Sequence, residues 1–249
     1  LSFDVLYTEP SVYGVWDDQA MGEAIAASEF FVGAAFVHTT ADAAEKITYP
    51  IDEVKNNCLT LANVSDVPDA DGVFRRATMW MDAEGADRML SLGAAASLIG
   101  DGDGKAKAVL ENGPAQRILN YRDPESFWHI FSAAAVVQSD LRIQEGATPS
   151  LDPSVVKDKH VFFGMSAPGL KDLRPTPLNR VSPGVTVHAT ALENLIDDSF
   201  IVEPKPAAVI AVIFILSLMA GALLLLFSRL WKTMTTIVVF LLLPAAAGY

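Results

Sequence analysis

LSFDVLYTEPSVYGVWDDQAMGEAIAASEFFVGAAFV, residues 1–37, opens the chain with the pattern that sets its fold class. In LSFDVLY (1–7) the apolar residues Leu1, Phe3, Val5 and Tyr7 recur at every second position, the period of a strand. DDQAMGEAIAASEF (17–30) reads as an amphipathic helix and FVGAAFV (31–37) as the next strand. Strand, helix, strand is a βαβ unit, which predicts parallel strands joined by a crossover helix.

The rest of the chain extends this layout. A polar stretch from His38 to about Pro68 leads to the turn DADG (69–72) and to VFRRATMWM (73–81), an expected strand. Leu90, Ala94 and Leu98 lie four residues apart, so Asp87 to Ile99 is expected to be helical, and GDGDGK (100–105) breaks that helix as a turn. RILNYR (117–122) reads as a strand, whereas SFWHIFSAAAVVQ (126–138) suits helix or strand. HVFFGM (160–165) is nearly all apolar, as in a strand buried on both faces, and VTVHATALENLID (185–197) has helical spacing. The expected fold class is α/β, a mostly parallel sheet with crossover helices, followed by transmembrane helices.

The transmembrane expectation comes from AAVIAVIFILSLMAGALLLLF (207–227), 21 residues without a charge. At about 1.5 Å per residue a helix of that length spans the roughly 30 Å hydrocarbon core. A second run, MTTIVVFLLLPAAAGY (234–249), follows the short segment SRLWKT. Residues 1–204 are therefore expected to form the domain and 205–249 a helical hairpin. Arg229 and Lys232 mark the linking turn as cytoplasmic, because basic residues concentrate in inner loops, and residues 1–204 then face outward. A translocated domain needs an export signal, so residues preceding Leu1 are expected.

Charge and cysteine content exclude several functions. Residues 1–204 carry 15 basic against 30 acidic side chains, a formal charge of −15, which repels a phosphate backbone, and nucleic acid is not expected as a partner. Cys58 is the one cysteine, so neither an internal disulfide nor a multi-cysteine metal site can form. GDGDGKA lacks the Ser or Thr and the spacing of a phosphate loop, and no acidic residue closes a calcium loop begun by Asp101 and Asp103. GMSAPG (164–169) places Ser166 on a turn after a strand, but Pro168 stands where a nucleophile elbow needs Gly. His38, His129, His160 and His188 show no metal-ligand spacing. No metal, cofactor or catalytic residue is expected within this segment.

Several ordered segments resemble one family, the type-two CHASE domain, an extracellular sensory domain of bacterial cyclases, kinases and related signalling proteins. They are FDVLYTEPS (3–11), DDQAMGEAI (17–25), DGVFRRA (71–77), ILNYRDPESF (118–127) and the tract KDKHVFFGMSAPGLKDLRPTPLNRVSPGVTVHATALENLI (157–196). The last is the most specific, with its strand, Gly-x-Ser-Ala turn, Asp and Thr-Pro loop, and Pro-Gly-Val-x-x-His-Ala helix start. The resemblance implies a transmembrane helix before the domain, further helices after it, and a cytoplasmic output domain such as a cyclase or kinase.

Candidate site residues follow from the matched tract. Asp172, Arg174 and Thr176 lie on the loop after HVFFGM, and Asp4 and Glu9 at the matching end of the first strand, where ligands of open α/β sheets gather. They are expected to contact an unidentified small-molecule ligand or, with His188, to form an internal clasp holding the long loop to the sheet. Pro183 and Gly184 precede a helix whose first turn offers free N–H groups to a polar loop or an anion. Ser217 and Gly221, with Ala220 and Ala222, make a small-residue face for helix packing, either in a homodimer or against the chain's own second helix.

Two functions are compatible with these features. One is a sensory domain in the bacterial cytoplasmic membrane, surrounded by lipid and facing the periplasm, that passes a stimulus inward through its helices. The other is an accessory subunit that docks on other membrane proteins.

Overall fold

The computed structural model describes residues 1–39, 45–83, 86–122, 128–167, 172–226, 234 and 237–238, which fall into two units, Leu1–Ile201 and Val202–Tyr249. The first unit begins with β1 (Ser2–Asp4), α1 (Val15–Ala27), β2 (Val32–Thr39), β3 (Glu45–Thr48), α2 (Asp52–Lys55) and β4 (Thr60–Asn63). It continues through β5 (Arg76–Thr78), β6 (Trp80–Ala83), β7 (Ala86–Leu90), α3 (Leu92–Leu98), α4 (Lys105–Asn112) and β8 (Gln116–Ile118). α5 (Ala133–Gln144), β9 (Phe162–Gly164), β10 (Leu173–Arg174), β11 (Ser182–Pro183) and α6 (Val185–Asp197) complete it. The second unit contains α7 (Pro206–Leu226).

The β1-α1-β2 unit is parallel, as its alternation and helical spacing require, with Ser2 opposite Val32. β4 pairs in parallel with the other edge of β2, and β9 with the free edge of β1, so four parallel strands lie in the order β4-β2-β1-β9. The chain moves outward from β1 to β2 to β4 and returns only later to β9. The direction of winding therefore reverses between β1 and β9, and in open α/β sheets a crevice opens at that reversal beyond the strand ends.

One face of α6 fixes the layer above the sheet. Val187, His188, Ala191, Asn194 and Leu195 are buried at the spacing of one helical stripe. Val187, Ala191 and Leu195 pack with Met79, Ala94, Leu110 and Leu119, and fully burying a side chain as large as Leu or Met contributes roughly 1.5–3 kcal/mol. α3 crosses so close that a Cβ at Gly93 would strike the His188 carbonyl, so only glycine fits there. Val32, Ala34, Ala62 and Leu92 form a second cluster between the sheet and α3.

Several expectations are corrected. The fold is mixed α/β with a partly parallel sheet, since β3 pairs with β2 in antiparallel fashion and β5-β8, β6-β7 and β10-β11 are antiparallel pairs. The helix expected from Asp87 starts at Leu92: residues 86–90 pair with β6, and the Ser91 hydroxyl accepts the Ala94 N–H at 3.4 Å as an N-cap. RILNYR is extended only to Ile118, where β8 ends, and VFRRATMWM is divided between β5 and β6. β9 is half-buried and pairs only with β1 among the described strands, so HVFFGM is not a strand covered on both faces. GDGDGK is a turn as expected up to Gly104, and a helix, α4, begins at its Lys105, where the Asp101 carboxylate accepts the Ala106 and Lys107 N–H groups at 3.2 and 2.9 Å. For SFWHIFSAAAVVQ, residues 123–127 lie outside the described residues and Ser132 caps α5 by accepting the Ala135 N–H.

α7 is 21 residues long and uncharged, with side chains described through Ala222; among the described residues no helix is long and apolar enough to cross a membrane. Arg229, Lys232, the SRLWKT turn and most of 234–249 lie outside the described residues.

Candidate functional site

The carboxyl ends of the parallel strands deliver a cluster of polar side chains. Asp4 is the last residue of β1. At the end of β4, the buried Asn63 side-chain oxygen Oδ1 accepts the Val37 and Ser65 N–H groups at 3.1 and 3.0 Å. This Asx turn bends the chain and brings Asp66 back over the sheet end. His188 projects from the first turn of α6, and the β10-β11 hairpin brings Asp172 and Arg174 to the same cluster, with Arg174 beside Asp66.

His188 stands at the centre. Its Nε2 lies 3.8 Å from Asp4 Oδ1 and its Nδ1 3.8 Å from Asp66 Oδ2. The Asp66 and His188 side chains are 1% exposed and that of Asp4 is 6% exposed. Arg174 Nη1 is 3.8 Å from the same Asp66 oxygen, while its Nε donates to Asp172 at 3.3 Å. A distance of 3.8 Å is an electrostatic contact and too long for a hydrogen bond. Among the described residues, Asp4 Oδ2, both Asp66 oxygens, the Tyr121 hydroxyl and His188 Nε2 are buried without a hydrogen-bond partner.

Burial dominates the protonation of this cluster. It raises the Asp4 pKa to about 7, helped by the charge of Asp172 and opposed by Arg174. It likewise raises Asp66, against the pull of His188 and Arg174, and raises Tyr121, which also faces Asp66. Burial lowers His188, against the pull of Asp66. Ionised forms are disfavoured because transfer from water into the interior removes solvation that no hydrogen bond replaces.

Asp172 and Arg174 tie the hairpin to α6. The Gly184 N–H donates to the Asp172 carbonyl at 2.9 Å, and a Cβ at Gly184 would run into the Asp172 carboxylate and Arg174 Nε. The carboxylate thus approaches the N-terminus of α6, where the helix dipole favours negative charge. The Arg174 guanidinium lies 5.1 Å over the Phe74 ring, and the Phe74 N–H donates to the Pro175 carbonyl at 2.8 Å.

Of the expected residues, the structure brings Asp4, Asp172, Arg174 and His188 together. Thr176 lies apart: its hydroxyl donates to the Asn179 carbonyl and contacts Ser182 Oγ, both at 3.2 Å, closing the hairpin loop. Glu9 is exposed and lines a surface hollow with Tyr7, Ser11, Asp17 and Asp18. Asp66 and Tyr121 complete the cluster without having been expected. Tyr121 falls in the matched segment ILNYRDPESF, which gave a usable signal, whereas Asp66 looks in sequence like Asp69 and Asp71, which pair with Arg75 and Arg76. Ser166 is exposed, and His188 is held between the carboxylates of Asp4 and Asp66. No group of side chains that could hold a metal ion occurs among the described residues. Residues 1–227 match the CHASE2 domain family. No curated protein and no solved structure matches the chain.

Proposed function

Because the chain belongs to the CHASE2 domain family, extracellular sensory domains of signalling proteins, we propose that residues 1–204 are the outward-facing sensory domain of a bacterial signal-transduction protein. In this reading the runs 207–227 and 234–249 anchor the domain in the cytoplasmic membrane and carry its signal inward to an output domain such as a cyclase or kinase. The family match is the observation that carries it. Two features support it. Only eight residues, 198–205, separate α6, which bears His188 in the buried cluster, from α7, and the sequence from 207 to 227 holds 21 residues without a charge. Two copies are proposed to meet along Ser217 and Gly221. The Ser217 hydroxyl turns back to the Ile213 carbonyl at 2.7 Å, and a Cβ at Gly221 would meet nothing within 4 Å.

The location is tested by thiol labelling. Gly102 is exposed, and a side chain there would meet nothing within 4 Å, so Gly102→Cys combined with Cys58→Ala gives one reporter thiol. A membrane-impermeant reagent should label it in intact spheroplasts. Labelling only after lysis overturns the outward orientation.

A further inference from the structure

We infer that Asp4, His188 and Asp66 form a buried proton-binding site that holds one proton more than a neutral imidazole between two carboxylates, and that α6 is thereby coupled to the pH of the solution around the domain. The geometry sets the count. A neutral imidazole carries hydrogen on one ring nitrogen and a lone pair on the other. Here each nitrogen faces a carboxylate oxygen at 3.8 Å, so whichever nitrogen is bare points its lone pair at a second concentration of negative charge. One added proton removes this conflict from either side, by making an imidazolium between two carboxylates or by making one carboxyl group a donor. The three groups titrate together, and the proton belongs to the trio rather than to one member.

The surroundings favour retention of that proton. Asp172 adds a third carboxylate opposite Arg174, which is shared between Asp66 and Asp172, and Tyr121 faces Asp66 as a neutral phenol. Among the described residues of the elements packed on α6, α3 and β9 contribute no titratable side chain. Lys105, Lys107 and Glu111 of α4 are exposed, and Arg76 of β5 is bridged to Asp69 at 2.7 Å. Glu193 and Asp197 on α6 itself pair with Arg122. The directions of the shifts agree, with both carboxyl groups raised by burial.

The sign of the pH dependence follows. Above about pH 6.5 an unfolded chain carries two ionised aspartates and a neutral imidazole, one proton in all, whereas the folded trio keeps two. Stability therefore falls as pH rises from about 6.5 through the pH at which the trio releases its proton. The lowered pKa of His188 acts in the opposite sense only below about 6.5, where the unfolded imidazole is charged. That the proton is the stimulus rests on the sensory reading; that it is bound does not.

The test uses the full chain in lipid nanodiscs, with unfolding of the outer domain followed from about pH 6.5 to about pH 8. In the wild type the melting temperature should fall by about 3–6 °C over this range. Asp66→Asn places a neutral amide that can donate to or accept from the imidazole, so its melting temperature should vary much less and should exceed the wild-type value at the upper pH. Titration of the ¹⁵N-labelled His188 ring supplies a second measurement should that variant fold poorly, and a change of protonation shared with a carboxyl group above pH 6.5 supports the site. Equal pH slopes in wild type and variant, no titration of the imidazole or of the Asp4 and Asp66 carboxyl groups above pH 6.5, or stabilisation by millimolar Mg²⁺ or Ca²⁺ in place of the pH response overturns the proposal. None of these outcomes depends on which side of a membrane the domain faces, which the thiol labelling tests separately.

Discussion

Asp172 and Gly184 meet at the start of α6, and each limits what the other position can hold. A methyl group at Gly184 enters the space of the Asp172 carboxylate, so Gly184→Ala should lower the melting temperature, and less so in an Asp172→Ala background, where that space is freed. Asp172→Ala alone removes the partner of Arg174 Nε and should cost about 1–3 kcal/mol in thermal denaturation. It also removes a charge that raises the Asp4 pKa, so the Asp4 carboxyl should titrate lower in the variant when followed by ¹³C shifts. An unchanged Asp4 titration would separate the two residues electrostatically. At this scale the sequence was half legible. Asp4, Glu9, Asp172, Arg174, Thr176 and His188 were all chosen from the matched segments, and the path of the backbone brings four of them together while it takes Glu9 and Thr176 elsewhere. Asp66 reaches the cluster through the Asn63 turn, a tertiary event with no periodic trace.

α6 is the element that joins the cluster to the rest of the domain. Asn194, fully buried six residues after His188, accepts the Asn120 N–H at 2.7 Å and donates to the Asn120 carbonyl at 3.2 Å, extending the backbone pairing beyond β8. Asn194→Ala leaves both backbone groups unpaired, and a loss of about 1–3 kcal/mol is expected, with the Asn120 amide becoming fast in hydrogen exchange. Exchange unchanged at Asn120 would contradict this role. The 185–197 helix was readable from spacing because its buried face is continuous. The start of α3 was not, because Leu90 continues the helical pattern backwards while its backbone pairs with β6. In the second unit, Gly221→Leu adds bulk where two copies are proposed to meet. It should reduce crosslinking between copies in membranes while leaving the outer domain's melting temperature unchanged. A stable complex of unlike chains without self-pairing would instead favour the accessory-subunit reading.

As a whole molecule, the chain combines a strongly acidic first unit with an uncharged helix separated from α6 by eight residues. The acidity of residues 1–204 was legible from composition alone; the sequence expectation put a boundary near Pro204 and Pro206, and the two units divide between Ile201 and Val202. The sheet order was not legible, because the return of the chain from β4 to β9 spans about a hundred residues of mixed hairpins and helices. The central claim is that the state of the buried cluster is read by the helices that follow it. Val209 is on α7 and exposed, and with Cys58→Ala a spin label at Val209→Cys reports the spacing between two copies. The most direct measurement is the electron–electron distance between such labels in a lipid bilayer at about pH 6.5 and about pH 8. The distance distribution should shift between the two conditions in the wild-type cluster and stay fixed with Asp66→Asn; distributions that coincide at both pH values with the cluster intact would contradict the account.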